Sequence, residues 1–138
     1  MEPEAIINTI PVSPALKDKT ILVVEDEPPL QDAIQTKLKS LGINHMAAMT
    51  AEDALLMISK HRPDIIWLDL LMPGMGGFAF LEKLRHDSQY KDIPVVIVSV
   101  SGSPEKIRRA FELNVVDFLI KSQYRLEDII KRITSFIA

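Results

Sequence analysis

The stretch "IIWLDLLMPG", Ile65 to Gly74, decides the fold. Its first four residues are apolar without a break, the pattern of a strand covered on both faces. Asp69 closes the run, and Met-Pro-Gly follows as a loop signal. A strand covered on both faces belongs to a parallel sheet flanked by helices. In such sheets ligands bind beyond the carboxyl ends of the strands, where Asp69 stands.

Four more strand candidates lie around it. "TILVV" (Thr20 to Val24) is apolar and β-branched, "NHMAAM" (Asn44 to Met49) is a weaker strand, and "IPVVIVS" and "DFLIK" supply the fourth and fifth. Helical stripes lie between them. Leu30, Ile34, Leu38 and Leu41 follow "EDEPP", whose prolines suit a first helical turn, and Gly42 is a stop. Thr50 reads as an N-cap with Asp53 in the capping-box position, ahead of Ala51, Ala54, Leu55 and Ile58; Pro63 ends that unit. Phe80, Leu81 and Leu84 mark a third helix. Ser103 as N-cap and Pro104 at the first position open a fourth, with Ile107, Ala110, Phe111 and Asn114 on one face. Asn114 suits a left-handed helix end. Leu126, Ile129, Ile130, Ile133 and Ile137 give the last helix its stripe.

Strands alternating with helices of about 10–15 residues imply βαβ units, right-handed crossovers and a parallel sheet. The expectation is one α/β domain over residues 19–138. Residues 1–18, acidic at the start and with prolines at 3, 11 and 14, read as a flexible N-terminal extension. The fifth helix uses up the chain, so no second domain is expected.

The bulk numbers narrow the function classes. A chain of 138 residues with 47% hydrophobic and 25% charged residues suits a folded domain with a sizeable core. The formal charge of −3 gives no general footprint for nucleic acid or an anionic membrane. Without cysteine, disulfides and thiolate metal sites are excluded, which fits a cytoplasmic protein. No apolar run approaches the roughly 18–20 residues of a membrane span, and the N-terminus lacks the pattern of a signal peptide. Residues 104–138 hold seven Lys or Arg against five Asp or Glu, read here as a solvated, partner-facing surface.

The strand ends carry the chemistry. The first delivers Glu25, Asp26 and Glu27, the third Asp69, the fourth Ser99 and the fifth Lys121. Carboxylates converging without a cation repel one another and raise at least one pKa. A hard divalent cation and the Lys121 ammonium relieve that repulsion. Mg²⁺ prefers oxygen ligands and commonly joins carboxylates to a phosphate. A carboxylate can itself accept a phosphoryl group as an acyl phosphate, and Ser99 can hydrogen-bond a phosphoryl oxygen. Taken singly, each residue has a plainer role: helix N-terminal charge, turn aspartate, satisfied hydroxyl, solvated lysine. Their joint placement at the ends of different strands of one sheet points to a site.

These residues resemble the receiver domain of two-component response regulators. "ILVVEDEPPL" is similar to the family's first strand and acidic pair, "DIIWLDLLMPGMGGFAFLEKLR" to its phosphorylation segment, "IPVVIVS" and "VDFLIK" to its switch-hydroxyl and lysine segments. The resemblance runs from about Lys19 to the C-terminus. It implies a flavodoxin-like, doubly wound (βα)5 fold with strand order 2-1-3-4-5. It implies Asp69 as phosphoacceptor, with Glu25, Asp26, Asp69 and the Leu71 backbone carbonyl holding Mg²⁺. Ser99 becomes the switch hydroxyl, Phe118 the companion aromatic and Lys121 the phosphate-binding lysine. It implies a sensor histidine kinase or phosphotransfer protein as the phosphoryl donor; His45, His61 and His86 match no family site.

The resemblance further implies a stand-alone switch that is not an enzyme, though it assists its own phosphotransfer and dephosphorylation. The surface of the fourth helix, fifth strand and fifth helix would change its preference for a downstream protein target, or support a homodimer. Neither direct nucleic-acid contact nor a membrane is expected.

The chain departs from the family pattern in three places. Lys121 is followed by Ser122 instead of proline. A cis non-proline bond costs about 2.5–4 kcal/mol, so a trans bond and a different loop path are expected. Val100 replaces a usual small residue and is expected to narrow access to the phosphoryl group. Gly76 stands where an Asp or Asn commonly caps the helix, and is expected to serve as N-cap. The two Met residues, Met72 and Met75, read as loop packing, and Trp67 as core.

Three other functions compete. A phosphatase of the haloacid-dehalogenase type needs an aspartate two residues after its nucleophile, and Leu71 speaks against it. A flavin module needs a hydroxyl- and glycine-rich loop after the first strand, where "EDEPP" is acidic. A receiver-like interaction module that is never phosphorylated stays open.

Overall fold

The computed structural model of the protein describes residues 16–138. The expected extension lies outside them apart from its last three residues, of which Leu16 is buried. Among the described residues five strands and five α-helices alternate: β1 (Thr20–Val24), α1 (Pro28–Ser40), β2 (Asn44–Ala48), α2 (Ala51–Lys60), β3 (Ile65–Leu68), α3 (Gly76–His86), β4 (Val95–Ser99), α4 (Pro104–Glu112), β5 (Asp117–Ile120) and α5 (Leu126–Ser135). All strand pairings are parallel and the order is β2-β1-β3-β4-β5. The fold is thus the flavodoxin-like doubly wound sheet anticipated above.

Alternation along the strands explains the two cores. Leu22, Val24, Ile66, Leu68, Val95 and Ile97 pack on one face against Ala54 and Ile58 of α2, Phe80 and Leu84 of α3, and Ala110 of α4. Ile21, Val23, Ile65, Trp67, Val96 and Val98 pack on the other, against Ile34 and Leu38 of α1 and Ile129, Ile130 and Ile133 of α5. The unbroken apolar runs of β1, β3 and β4 are what two covered faces require.

Helix boundaries follow local chemistry. The Thr50 hydroxyl accepts the Asp53 N–H at 3.0 Å, and the Ser103 hydroxyl accepts that of Lys106 at 3.2 Å. Each satisfies a donor left over at a helix start. Asn114 turns the chain out of α4 with φ of 60°.

Four sequence expectations are corrected or extended. In α1 the stripe of Leu30, Ile34, Leu38 and Leu41 does pack on the core, but the fully buried face carries Gln31 as well as Ile34 and Leu38. In α4 Phe111 is 47% exposed and Ala110 alone is buried, because this helix rests on the edge strand β5 through its smallest side chain. Lys121 is not the last residue of β5 but opens a short 3-10 turn, Lys121–Gln123. Gly76 does not cap α3 from outside. Met75 takes that position, and Gly76 begins the helix with φ of 80°, a conformation costly for any residue with a Cβ.

Candidate functional site

The sheet register assembles the site. Val24 pairs with Leu68, so Glu25 and Asp69 leave adjacent strands at one level. The Asp69 N–H donates to the Val24 carbonyl at 3.0 Å, and the Glu25 N–H to the Ala48 carbonyl at 3.0 Å. Leu68 pairs with Ile97 and Ser99 with Ile120, which brings Ser99 and then Lys121 to the same edge. Glu25, Asp69 and Lys121 continue the parity of Val23, Trp67 and Leu119, the residues facing α1 and α5.

Glu25, Asp69 and Ser99 are buried; Asp26 and Lys121 are half-buried. One carboxylate oxygen from each of Glu25, Asp26 and Asp69 lies within 4.8 Å of the others. Lys121 Nζ lies 2.7 Å from Glu25 Oε1 and 3.7 Å from Asp69 Oδ2. The Leu71 N–H donates to Asp69 Oδ1 at 3.2 Å, and the Glu27 N–H to Glu25 Oε2 at 3.1 Å. Burial first, and then the Glu25 carboxylate, push the Asp69 carboxyl up from 3.8 to about 6, with Asp26 adding a little. The Lys121 ammonium and the Leu71 N–H pull the other way without winning. Three carboxylates against one ammonium leave a negative excess of hard oxygen donors, the donor set that suits Mg²⁺.

Around this cluster the loops are apolar. Leu71 and Val100 follow Asp69 and Ser99 and are both at least half exposed. Met72 and Met75 are half-buried and pack on the core, as loop-packing residues would. Trp67 is buried in the core, its ring N–H without a hydrogen-bond partner among the described residues. It lines a cavity of about 200 Å³ shared with Leu30, Val98, Lys121, Tyr124, Leu126 and Ile129. Phe118 is half-buried and closes on Gly102, where an added Cβ would meet its Cε1 at 2.7 Å. No peptide bond among the described residues is cis, so Lys121–Ser122 is trans as expected. His61 and His86 are exposed, and His45 is half-buried with Nδ1 2.8 Å from the Ile43 carbonyl; all three lie apart from the acidic cluster.

Sequence reasoning missed Gln31. It is buried, and its amide Nε2 reaches the carbonyls of Val23, Glu25 and Ala48 at 3.2, 3.2 and 3.3 Å. The signal available was a glutamine among helix positions that otherwise point inward, one turn after the acidic pair.

The geometry defines a doubly wound α/β protein with an acidic cluster at the β1/β3 switch point in strand order. The family model described as "Response regulator receiver domain" matches residues 21–134, and the chain belongs to that family. It is 33% identical over 103 residues to the phosphate regulon transcriptional regulatory protein PhoB of Escherichia coli K12, covering 75% of this chain and 45% of PhoB. PhoB of Pseudomonas aeruginosa is 30% identical over the same coverage. The chain therefore spans less than half the length of these curated relatives.

Among solved structures, chemotaxis protein CheY4 of Vibrio cholerae superposes with a TM-score of 0.78 at 28% identity, covering 87% of this chain and 98% of that one. The Mn²⁺-bound form of response regulator Rcp1 gives 0.72 at 28% identity, covering 86% and 91%. The chain is a two-component receiver domain with an acidic cluster able to hold a divalent cation. Among the described residues no helix is long and apolar enough to cross a membrane.

Proposed function

We propose that the domain is a phosphorylation-dependent switch in which Asp69 accepts a phosphoryl group from a sensor histidine kinase or a phosphotransfer protein. The observation that carries this reading is the buried Asp69 carboxylate, within 4.8 Å of Glu25 and Asp26 oxygens and 3.7 Å from Lys121. Its strand end is rigid, which favours the aligned approach that transfer needs. A carboxylate oxygen of Asp69 forms the new O–P bond as the bond from phosphorus to the donor breaks. The donor's imidazole departs with the electron pair.

Glu25, Asp26, Asp69 and the Leu71 carbonyl would hold Mg²⁺. Bound there, the ion supplies positive charge against the phosphoryl and carboxylate oxygens. That the structurally similar Rcp1 is described with Mn²⁺ supports a divalent site. Lys121 would pair with a phosphoryl oxygen, and Ser99 would donate its hydroxyl to another. Phosphorylation adds roughly −1.5 to −2 charges, enough to bias two close conformations by a few kcal/mol. Ser99 would shift toward the phosphoryl group, and Phe118 would turn into the space it leaves. The α4-β5-α5 surface would then change its affinity for a downstream protein target or for a second copy of the domain. In this reading the domain assists its own phosphorylation and dephosphorylation but has no separate substrate.

The test is to incubate the protein with Mg²⁺ and acetyl phosphate, and in parallel with beryllofluoride. Intact mass should rise by about 80 Da, one phosphoryl group. The Asp69→Asn variant should show no gain. Absence of any gain or beryllofluoride response, with a cognate kinase also supplied, would leave the unphosphorylated interaction module as the better reading.

A further inference from the structure

We infer that Gln31 is a positioning residue for the divalent-cation site. It fixes the backbone from which Glu25 and Asp26 project, and so sets cation affinity without touching the cation. The inference rests on the phosphoacceptor reading above and adds to it a residue outside the acidic cluster.

The side chain sits in the first turns of α1, buried beneath the carboxyl ends of β1 and β2. Its amide nitrogen has two N–H bonds and three carbonyls within reach, those of Val23, Glu25 and Ala48 at 3.2–3.3 Å. Gln35 Nε2 donates to Gln31 Oε1 at 2.8 Å, which orients the amide with its nitrogen toward the strands. The Gln31 N–H itself donates to the Glu27 carbonyl at 2.9 Å, so the helix start is anchored to the same loop.

Glu25 is consequently held at every polar atom. Its N–H donates to Ala48, and its carbonyl accepts from Gln31. Oε1 meets Lys121, and Oε2 accepts the Glu27 N–H. The Ala48 carbonyl accepts from both Glu25 and Gln31, so one side chain ties the ends of two strands to the peptide that carries the acidic pair. Asp26 is the next residue, and its direction follows from the Glu25 peptide plane. A hydrophobic residue at position 31 would leave carbonyls of Val23 and Glu25 without this donor at a buried site, and the loop would move to find water.

The experiment uses the full chain with Gln31→Met, which keeps length and apolar bulk but removes the donors. Dissociation constants for Mg²⁺ and Mn²⁺ are measured by calorimetry, together with thermal midpoints in EDTA. Ile58→Ala serves as a control, because Ile58 is buried on the opposite face of the sheet and should lower the midpoint without touching the site.

Gln31→Met should weaken cation binding about tenfold, in the range seen when a supporting hydrogen bond behind a metal ligand is lost. Ile58→Ala should bind as wild type does. Gln31→Arg, which restores several donors toward the same carbonyls, should recover part of the affinity. An unchanged dissociation constant in Gln31→Met, or equal weakening in both destabilised variants, would overturn the role of Gln31 alone. A wild-type chain that binds neither ion, with Asp26→Asn equally silent, would overturn the underlying site reading as well.

Discussion

Lys121 is paired with Glu25 at 2.7 Å and stands back from Asp69 at 3.7 Å. The ammonium thus offsets the buried Glu25 carboxylate most directly, and acts on Asp69 at the longer distance. Removing one partner of a buried ion pair strands the other. Lys121→Met should lower stability in EDTA by about 2–3 kcal/mol, less than for a fully enclosed pair because solvent still reaches the lysine. Saturating Mg²⁺ should recover much of that loss. Urea titrations with and without the ion check this, and equal losses in both would contradict it.

Asp69 should make metal-free stability depend on pH. Its carboxyl is raised to about 6 in the folded state from 3.8, so the folded protein holds this proton more tightly than the unfolded chain does. The contribution is fully present below pH 3.8 and is lost as pH rises through about 6, a change of about 3 kcal/mol. Asp69→Asn lacks the charge and the loss. In EDTA the variant should therefore match wild type near pH 4 and exceed it at pH 7. Mg²⁺ at pH 7 should narrow or reverse that gap by stabilising only the wild type.

Gly77 and Gly102 should respond differently to alanine. A Cβ on Gly77 would stand 2.6 Å from Leu70 Cα and 2.9 Å from the Asp69 carbonyl, both backbone atoms. Gly77→Ala must displace the segment after Asp69, and should cost about 1–3 kcal/mol as overpacking does. Phosphorylation by acetyl phosphate should slow with it. A Cβ on Gly102 meets only the far ends of Phe118 and Ile120. Gly102→Ala should cost well under about 1 kcal/mol while turning the Phe118 ring, visible as a shift of its aromatic NMR signals.

Arg85 should be structural and silent toward metal. Its guanidinium donates to the carbonyls of Lys91, Ile93, Leu113 and Asn114, at 3.0, 2.9, 2.7 and 3.3 Å, joining α3 to the turns before β4 and β5. Burial lowers its pKa against the influence of Asp92. A lysine cannot reproduce the planar fork, so Arg85→Lys should lose about 2 kcal/mol of stability with no change in Mg²⁺ affinity.

The sequence by itself determined the elements and the members of the acidic cluster. Apolar runs in β1, β3 and β4 announce strands covered on both faces, and Glu25, Asp69 and Ser99 follow directly from where those runs end. Thr50, Ser103 and Asn114 were legible because caps and left-handed turns depend on neighbours a few residues away. Only the tertiary structure decided which groups meet and at what distance. Leu30 and Gln31 are neighbours on α1 and both face the sheet, Leu30 half-buried against the core and Gln31 buried, but hydrophobicity alone announces only Leu30. Gln31 is buried as well because carbonyls at the ends of two strands, β1 and β2, converge there and take its donors. The pairing of Lys121 with Glu25 likewise spans 96 residues of chain. Local propensity carries no information about such a contact; the parallel register that aligns the strand ends creates it.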